Sequence, residues 1–567
     1  TKNANDGLSM LAVIENATND VTDMLQRMRQ LAVQAVNDTN GSVDREFLQE
    51  ELVQLLQEID RVATQTKYNG RTLLDGSMTG QIQVGAQANQ ILDFSIKSVS
   101  SQNLGSTGSQ QVSTQNIPAH SSWSQIGSDI DAERPGDLAG SGLAMSKDGL
   151  VVAVGAQYND DSAGDAGQVR IFEWDGSNWI QRGSDIDGLN NHDRTGGQGT
   201  LALSADGNRA AVTVSRSLNE FEGGGSDVGR VRIFDWDGTN WNQVGEDIYG
   251  EAHNDWGGHG LSFSDDGTTL AISAPYNDGG AHNAGHVRVF SWDGTTWNQK
   301  GLDIDGEKPD DKGGMGTAAT LSGDGNTIVF GAYNNNDGGV RAGHARVFRW
   351  DGENWNQIGL DIDGQAGDIS GENTSISRDG NTIAIGARLN GGNGDYSGAV
   401  RVFRWGENSW SQLGQDIQGE AVGDQFGSDV SLSSDGNFLA AGAFLNDGNG
   451  NDSGHARVFA WDGNEWNQVG QDIDGEAVDD KSGNRVRLSS DGSVIAVSAA
   501  DNDGKGFRAG HVRIFENESI SSWRDSSMQS NGVSAIDVTQ DASKALETIT
   551  FAIEQVSGQR AEYGALQ

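Results

Sequence analysis

The stretch from Val430 to Ile473 reads VSLSSDGNFLAAGAFLNDGNGNDSGHARVFAWDGNEWNQVGQDI. An alternating run, Val430-Ser431-Leu432-Ser433-Ser434, closes on Asp435-Gly436, a dipeptide suited to the positive φ angles of a tight hairpin. Phe438-Leu439-Ala440-Ala441-Gly442-Ala443 predicts the returning strand and Ala456-Arg457-Val458-Phe459 a third. Asp462-Gly463-Asn464-Glu465 then turns the chain into a fourth strand that opens at Trp466. The unit recurs. Its motif, Trp-x-Gln-x-Gly-x-Asp-Ile, begins at Trp123, Trp179, Trp241, Trp297, Trp355, Trp410 and Trp466, with a degenerate eighth Trp at Trp523. Successive spacings are 56, 62, 56, 58, 55, 56 and 57 residues, which makes seven units. Four-stranded repeats of this length with a recurring Trp predict the blades of a β-propeller, here over residues 122–524. Such a ring has adjacent ends, so it can be inserted into another domain. Two Trp strands compete to close it, the one at Trp123 and the one at Trp523.

Outside the repeats the sequence changes in kind. Leu11, Ile14, Ala17, Val21, Met24, Leu25, Met28 and Leu31 recur at three- and four-residue steps, a stripe on one helical face. Phe47, Leu48, Leu52, Leu55, Leu56, Ile59 and Val62 form a second stripe, after an Asn37–Ser42 turn cluster. Ala545, Leu546, Ile549, Phe551, Ala552, Ile553 and Val556 form a third. Helices with one apolar stripe need partners, so the three are expected to pack together across more than 400 intervening residues. A short hairpin, Gln81–Gly85 with Ile91–Ile96, follows the second helix. The fold class is therefore α+β multidomain: a discontinuous helical domain with an inserted all-β seven-bladed propeller.

Composition narrows the function. The chain of 567 residues carries 38 Lys+Arg against 81 Asp+Glu, a formal charge of −43. Nucleic-acid binding needs cations to neutralise phosphates, so no nucleic-acid partner is expected. There is no Cys, hence no disulfide or thiolate metal site. No apolar run approaches the roughly 20 residues that span a bilayer, so no membrane partner is expected, and no signal peptide opens the chain.

The helical ends resemble bacterial flagellins. Thr1-Lys2-Asn3-Ala4-Asn5-Asp6-Gly7, Leu25-Gln26-Arg27-Met28-Arg29-Gln30-Leu31-Ala32-Val33-Gln34, Glu58-Ile59-Asp60-Arg61-Val62, Tyr68-Asn69-Gly70 and Gln81-Ile82-Gln83-Val84-Gly85-Ala86 stand in the family's order, and Arg560-Ala561-Glu562-Tyr563-Gly564-Ala565-Leu566-Gln567 completes it. The resemblance implies a rod domain in two parts, residues 1–105 and a C-terminal helix at 533–567, with linkers at 106–121 and 525–532. It implies a structural subunit of the flagellar filament, extracellular, with the propeller displayed outside. The implied partners are other flagellin subunits, the flagellar export machinery and chaperone, and the vertebrate innate receptor for flagellin. Leu25, Gln26, Arg27, Leu31 and Glu51 match positions that contact that receptor, on a surface whose working role is filament packing. Flagellins begin and end with further helices that line the filament channel. Here the chain starts and stops inside the pattern, so a trimmed rod that does not polymerise as full-length flagellin does is expected.

The repeats resemble the FG-GAP propeller family typified by integrin α subunits, through Gln425-Phe426-Gly427-Ser428, Ala271-Ile272-Ser273-Ala274-Pro275 and Gly285-His286-Val287-Arg288-Val289-Phe290. No unit reproduces that family's dense Asp-x-Asp-x-Asp-Gly calcium loops. Carboxylates spaced by two still make Ca²⁺ the one cofactor candidate, at Asp303 and Asp305, Asp361 and Asp363, and Asp472 and Asp474. Because an Asp stands at this place in every unit, from Asp129 to Asp472, a scaffold role is the expected reading. The Asp of each Asp-Gly is expected to serve its turn. The third-strand arginines, Arg170, Arg232, Arg288, Arg346, Arg401, Arg457 and Arg513, are expected to pair with carboxylates of their own or an adjacent blade. His286, His344, His455 and His511 are expected to be structural, since blade-equivalent residues spread around a ring. No His-Glu-x-x-His, Gly-x-Ser-x-Gly or phosphate-binding loop motif occurs, and no catalytic residue is assigned. The alternative function is a binding or adhesion module for a glycan, a surface protein or Ca²⁺. Its loops would be the irregular ones, Ala132–Gly140, Ser217–Asp227 and Glu251–Gly258, the last carrying Trp256 outside the repeat pattern.

Overall fold

The computed structural model describes residues 2–35, 42–68, 71–74, 79–83, 91–96, 98–101, 104, 122–197, 201–214, 227–406 and 408–520, with Ala545, Ile549, Ala552 and Val556. The chain divides into two compact units, Thr1–Asn116 with Ser522–Gln567, and Ile117–Ser521. The expected linkers at 106–121 and 525–532, the 217–226 loop segment, Trp523 and the tail from Arg560 lie outside the described residues.

The first unit is built on α1 (Lys2–Ala35) and α2 (Ser42–Gln65). Ile14, Val21, Leu25, Met28 and Leu31 of α1 meet Leu48, Leu52, Leu56 and Ile59 of α2 in one apolar core. Ala545, Ile549, Ala552 and Val556 join that core, and their four-, three- and four-residue steps lay them on one helical face. The stripe expectation fails at Phe47, which is 64% exposed. Successive helical residues point about 100° apart, so Leu48 facing inward turns Phe47 out. Asp60 accepts hydrogen bonds from the Ser101 N–H (2.7 Å) and hydroxyl (2.8 Å), fastening residues 98–101 to α2. Strands Thr79–Gln83 and Ile91–Ser95 pair antiparallel, as the sequence predicts.

The second unit is a ring of seven antiparallel sheets. In the sixth, Val430–Leu432, Phe438–Ala443, His455–Trp461 and Trp466–Gln468 lie side by side in chain order. Ile473–Asp474 returns to pair with the start of the third strand, as its counterpart does in every blade. The Ser-x-Asp-Gly turn explains itself: Asp435 accepts from the Asn437 N–H (3.0 Å) and the Ser433 hydroxyl (2.6 Å), and that hydroxyl accepts from the Phe438 N–H (2.9 Å). Apolar side chains of neighbouring sheets fill the space between blades; Ala384, Val400 and Val402 of the fifth meet Val430, Leu439 and Ala441 of the sixth. The strand that opens at Trp123 closes the ring. Gln125 pairs with Phe515, and Ile130 with Val512, so the seventh blade takes its outer strands from the start of the repeats.

Candidate functional site

Six of the seven Trp-x-Gln-x-Gly-x-Asp-Ile motifs clasp their blade to the preceding one through the indole N–H, the Trp297 indole having no such partner among the described residues. The Trp466 indole N–H donates to the Leu413 carbonyl of the preceding blade (3.1 Å), and Trp123, Trp179, Trp241, Trp355 and Trp410 repeat the contact at 2.7–3.1 Å. The motif glycine makes room for these rings. A Cβ on Gly127, which sits at φ +71°, would lie 2.7 Å from Trp174 and 2.8 Å from Trp179. The motif Gln holds the motif Asp. Gln468 Nε2 donates to Asp472 Oδ1 at 2.6 Å, and the pair recurs around the ring to 2.8 Å.

The seven third-strand arginines differ from expectation in their main partner. Each donates to a backbone carbonyl of the preceding blade's extension, from Arg170 on Asp131 (2.5 Å) to Arg401 on Asp363 (2.9 Å). Carboxylates come second: Glu133, Glu251, Glu307, Glu420 and Glu476 lie 3.4–3.9 Å from five of them. Both faces of these strands are covered, and a buried carbonyl and a buried guanidinium each cost free energy when unpaired, so their hydrogen bond satisfies both.

Variation concentrates where the loops leading into the first strands meet the loops between second and third strands. The loops Ala132–Gly140 and Glu251–Gly258 are not irregular. Their Asp137 and Asp255 are buried, cap the loop backbone and accept from Asn159 (3.2 Å) and Asn277 (2.9 Å), as Asp424 does from Asn446 (3.0 Å) in the sixth blade. The next residue has positive φ in every blade: Leu138, Arg194, Trp256, Lys312, Ile369, Gln425 and Lys481. Trp256 thus occupies a repeat position whose side chain is free to differ. It is half-buried, stacked on His259 (centroids 5.9 Å apart) and edge-on to Tyr276 (4.7 Å), over which Lys312 also lies. Gln157, Phe444, Lys481, Asn484 and Arg508 help line a cavity of about 220 Å³ at this end, where Lys481 and Arg508 both pair with Asp501.

The starts of the first strands also depart from the repeat. Asp429 is fully buried and accepts from the Val486 N–H (3.0 Å) and Arg487 (2.7 Å). Arg485 beside it is 2% exposed. Burial lowers the Arg485 pKa, and burial with the Arg485 charge pushes His259 down to about 4.

The calcium pairs behave unequally. Asp303, Asp361 and Asp472 each turn one oxygen to their Gln and the other toward a histidine of their own blade, at 3.6–3.9 Å. Asp305, Asp363 and Asp474 join no such group among the described residues; only Asp129 and Asp131 converge together, with His511. Burial and the neighbouring Asp raise the Asp305, Asp363 and Asp474 carboxyls. The spread of equivalent histidines around the ring, apparent in sequence, hides that each meets carboxylates of its own and adjoining loops. Gln four residues before Asp was the available signal.

On the helical unit Arg27 pairs with Glu51 at 2.6 Å, both half-exposed, and Gln26 is exposed beside them. Leu25 and Leu31 are 0% and 1% exposed, so they belong to the helical core rather than to an outer contact surface.

Residues 1–79 match the bacterial flagellin N-terminal helical region, and residues 418–459 match the FG-GAP repeat. A flagellin of Salmonella rubislaw is 45% identical over 105 residues, 18% of this chain and 21% of that protein. A flagellin of Xenorhabdus nematophila is 41% identical over 104 residues, 18% and 33% of the two chains. The chain thus spans between about a fifth and a third of the length of these relatives. Among solved structures, the RRP9 WD40 repeats align over 70% of this chain and 99% of that one, at 13% identity and TM-score 0.42. A Bacteroides uniformis protein described as a candidate 6-phosphogluconolactonase aligns over 62% and 90%, at 15% and 0.42.

Proposed function

Because the chain joins a flagellin N-terminal region to a seven-bladed propeller, we propose that it is a structural subunit of a bacterial flagellar filament, with the helical unit in the filament wall and the propeller carried outside. The observation that carries this reading is the core shared by α1, α2 and Ala545, Ile549, Ala552 and Val556, which brings together residues from both sides of the ring in sequence and supports a propeller inserted into a flagellin-like rod. On this reading the partners are other flagellin subunits, with delivery by the flagellar export machinery and its chaperone, and the protein works outside the cell without catalysis. The innate-receptor contact implied by resemblance would fall to Gln26, Arg27 and Glu51. Mass spectrometry of flagella sheared from cells that make the protein tests the proposal: the chain should be a major component, and its absence from purified filaments would refute it.

A second reading, a binding role for the propeller, is favoured by the contrast between an invariant clasp and the varied side chains around the loop-end cavity. A glycan array probed with the whole chain should show hits lost in Phe444→Ala. An array without hits leaves the structural role alone.

A further inference from the structure

We propose that the ring carries zinc-class divalent cation sites at the junctions between blades, with the principal site at His344, Asp361, Glu307 and Asp337. One nitrogen or oxygen from each of these four side chains lies within 4.8 Å of the others. The His344 side chain is 0% exposed, and neither ring nitrogen has a hydrogen-bond partner among the described residues. A buried polar group without a partner calls for an unseen water or ion. Nδ1 of His344 faces Asp361 Oδ2 at 3.9 Å. Two ligands of a tetrahedral Zn²⁺, each about 2.0 Å from the metal, stand about 3.3 Å apart, so the His344–Asp361 pair must close by about 0.6 Å and the widest pair by up to about 1.5 Å, a movement that falls to the exposed Glu307 and Asp337 side chains.

The carboxylates are already aimed. Asp361 gives its other oxygen to Gln357 Nε2 (2.7 Å), and Glu307 is oriented by Arg346 (3.5 Å). Such outer contacts fix ligand orientation at metal sites. The arrangement recurs with three ligands at Glu251, His286 and Asp303, and at Glu420, His455 and Asp472. At His286 the division of labour is explicit: Glu251 turns Oε1 to Arg288 (3.7 Å) and Oε2 to the His286 nitrogen (3.8 Å).

The second blade shows what the position demands. There Arg230 stands in place of the histidine, and its guanidinium lies 3.4 Å from Asp247 and 3.6 Å from Asp193. The first blade has Gln168, which donates to Glu133 (3.1 Å). Where the side chain supplies a cation or a donor, the carboxylates are served by it; at His344, Asp337 pairs with Lys308 and Glu307 with Arg346, and a bound cation would join the unpartnered imidazole to these carboxylates and to Asp361. Imidazole with carboxylates selects a zinc-class ion, whereas Ca²⁺ takes oxygen ligands alone. A charge of −43 on the chain favours cation capture at any of them.

The test is isothermal titration of the whole chain, stripped with EDTA, with ZnCl2 and separately with CaCl2, followed by Co²⁺ absorption in the visible. Zn²⁺ should bind at one or more equivalents, Co²⁺ should give a tetrahedral d–d band, and His344→Gln should remove one equivalent and its share of the band. Glu307→Gln, at a more exposed ligand, should weaken the same site at least tenfold and keeps the test decisive if His344→Gln fails to fold. Absence of Zn²⁺ binding, unchanged stoichiometry in both variants, or Ca²⁺ binding as tight as Zn²⁺ would each overturn the proposal.

Discussion

The two units reach stability by opposite routes. The helical unit depends on segments at both ends of the chain, and no helix in it can bury its stripe alone: Leu52 on α2 and Ile549 near the C-terminus are both fully buried in one core. The ring depends on neighbours. Each blade is held to the one before it by an Arg on that blade's carbonyl and, at six of the seven junctions, by a Trp indole N–H, and only the closing strand at Trp123 joins distant sequence. A sequence of the first kind is specific in residue identity, so likeness to relatives reveals it. A sequence of the second kind is specific in period, so the fold is readable while the purpose is not.

The largest expected effect comes from the one place where the ring resembles the rod. Removing residues 122–131 strips the seventh blade of its outer strands and of Trp123, whose truncation alone should cost about 3–5 kcal/mol. Calorimetry should show the propeller transition collapse while the helical transition holds; a propeller melting unchanged would break the comparison. Ile549→Ala should do the converse, lowering the helical transition by about 2–5 kcal/mol and leaving the propeller alone. A shift of both transitions would mean that the units are energetically one.

A pH series sharpens the same contrast. His259 has a folded pKa near 4 against 6.5, lowered chiefly by burial and then by the Arg485 charge. The folded state thus prefers the neutral ring, so its contribution is full above about 6.5 and is lost as pH falls toward 4, at about 1.4 kcal/mol per pH unit. The propeller transition should fall through that window, where burial also lowers His286, His344, His455 and His511, and His259→Phe should make the slope shallower by one proton's share; an unchanged slope would contradict the assignment. The smallest effect is at the clasp itself. Gln468→Ala removes one hydrogen bond to a half-exposed Asp472 and should cost about 1 kcal/mol in thermal unfolding, with a loss above about 3 kcal/mol showing that the Asp does more than close its turn.

Much of this was legible in the residues. The Trp period gave seven blades because a blade must present one large ring to its neighbour, and the Ser-x-Asp-Gly runs gave the hairpins. The closing strand was only partly legible, since a Trp stands at the repeat spacing at both Trp123 and Trp523, although only Trp123 carries the full motif, and backbone pairing assigns the closure to Trp123. Phe47 and Leu48 illustrate a limit of stripe reading: of two adjacent apolar residues at the margin of a stripe, one can face the core while the other turns out. The arginines' preference for carbonyls was hidden because sequence displays charges and conceals unpaired backbone. The site candidates divide in the same way. Arg27 and Glu51 pair on the surface, while Leu25 and Leu31, equally part of the motif, are spent on the core. The histidine–carboxylate groups were missed because each histidine stands between 7 and 382 residues from its carboxylates and meets them only when the blades are stacked.

On the proposed function, a flagellin-like rod carries the closed propeller outward from a filament. Immunogold electron microscopy with antibodies against an epitope in residues 122–520, on intact flagella of cells that make the protein, tests it most directly. Gold along the whole filament shaft, without prior disruption, is the expected result. Bare filaments that bind the antibody only after dissociation, or gold confined to the cell body, would contradict it.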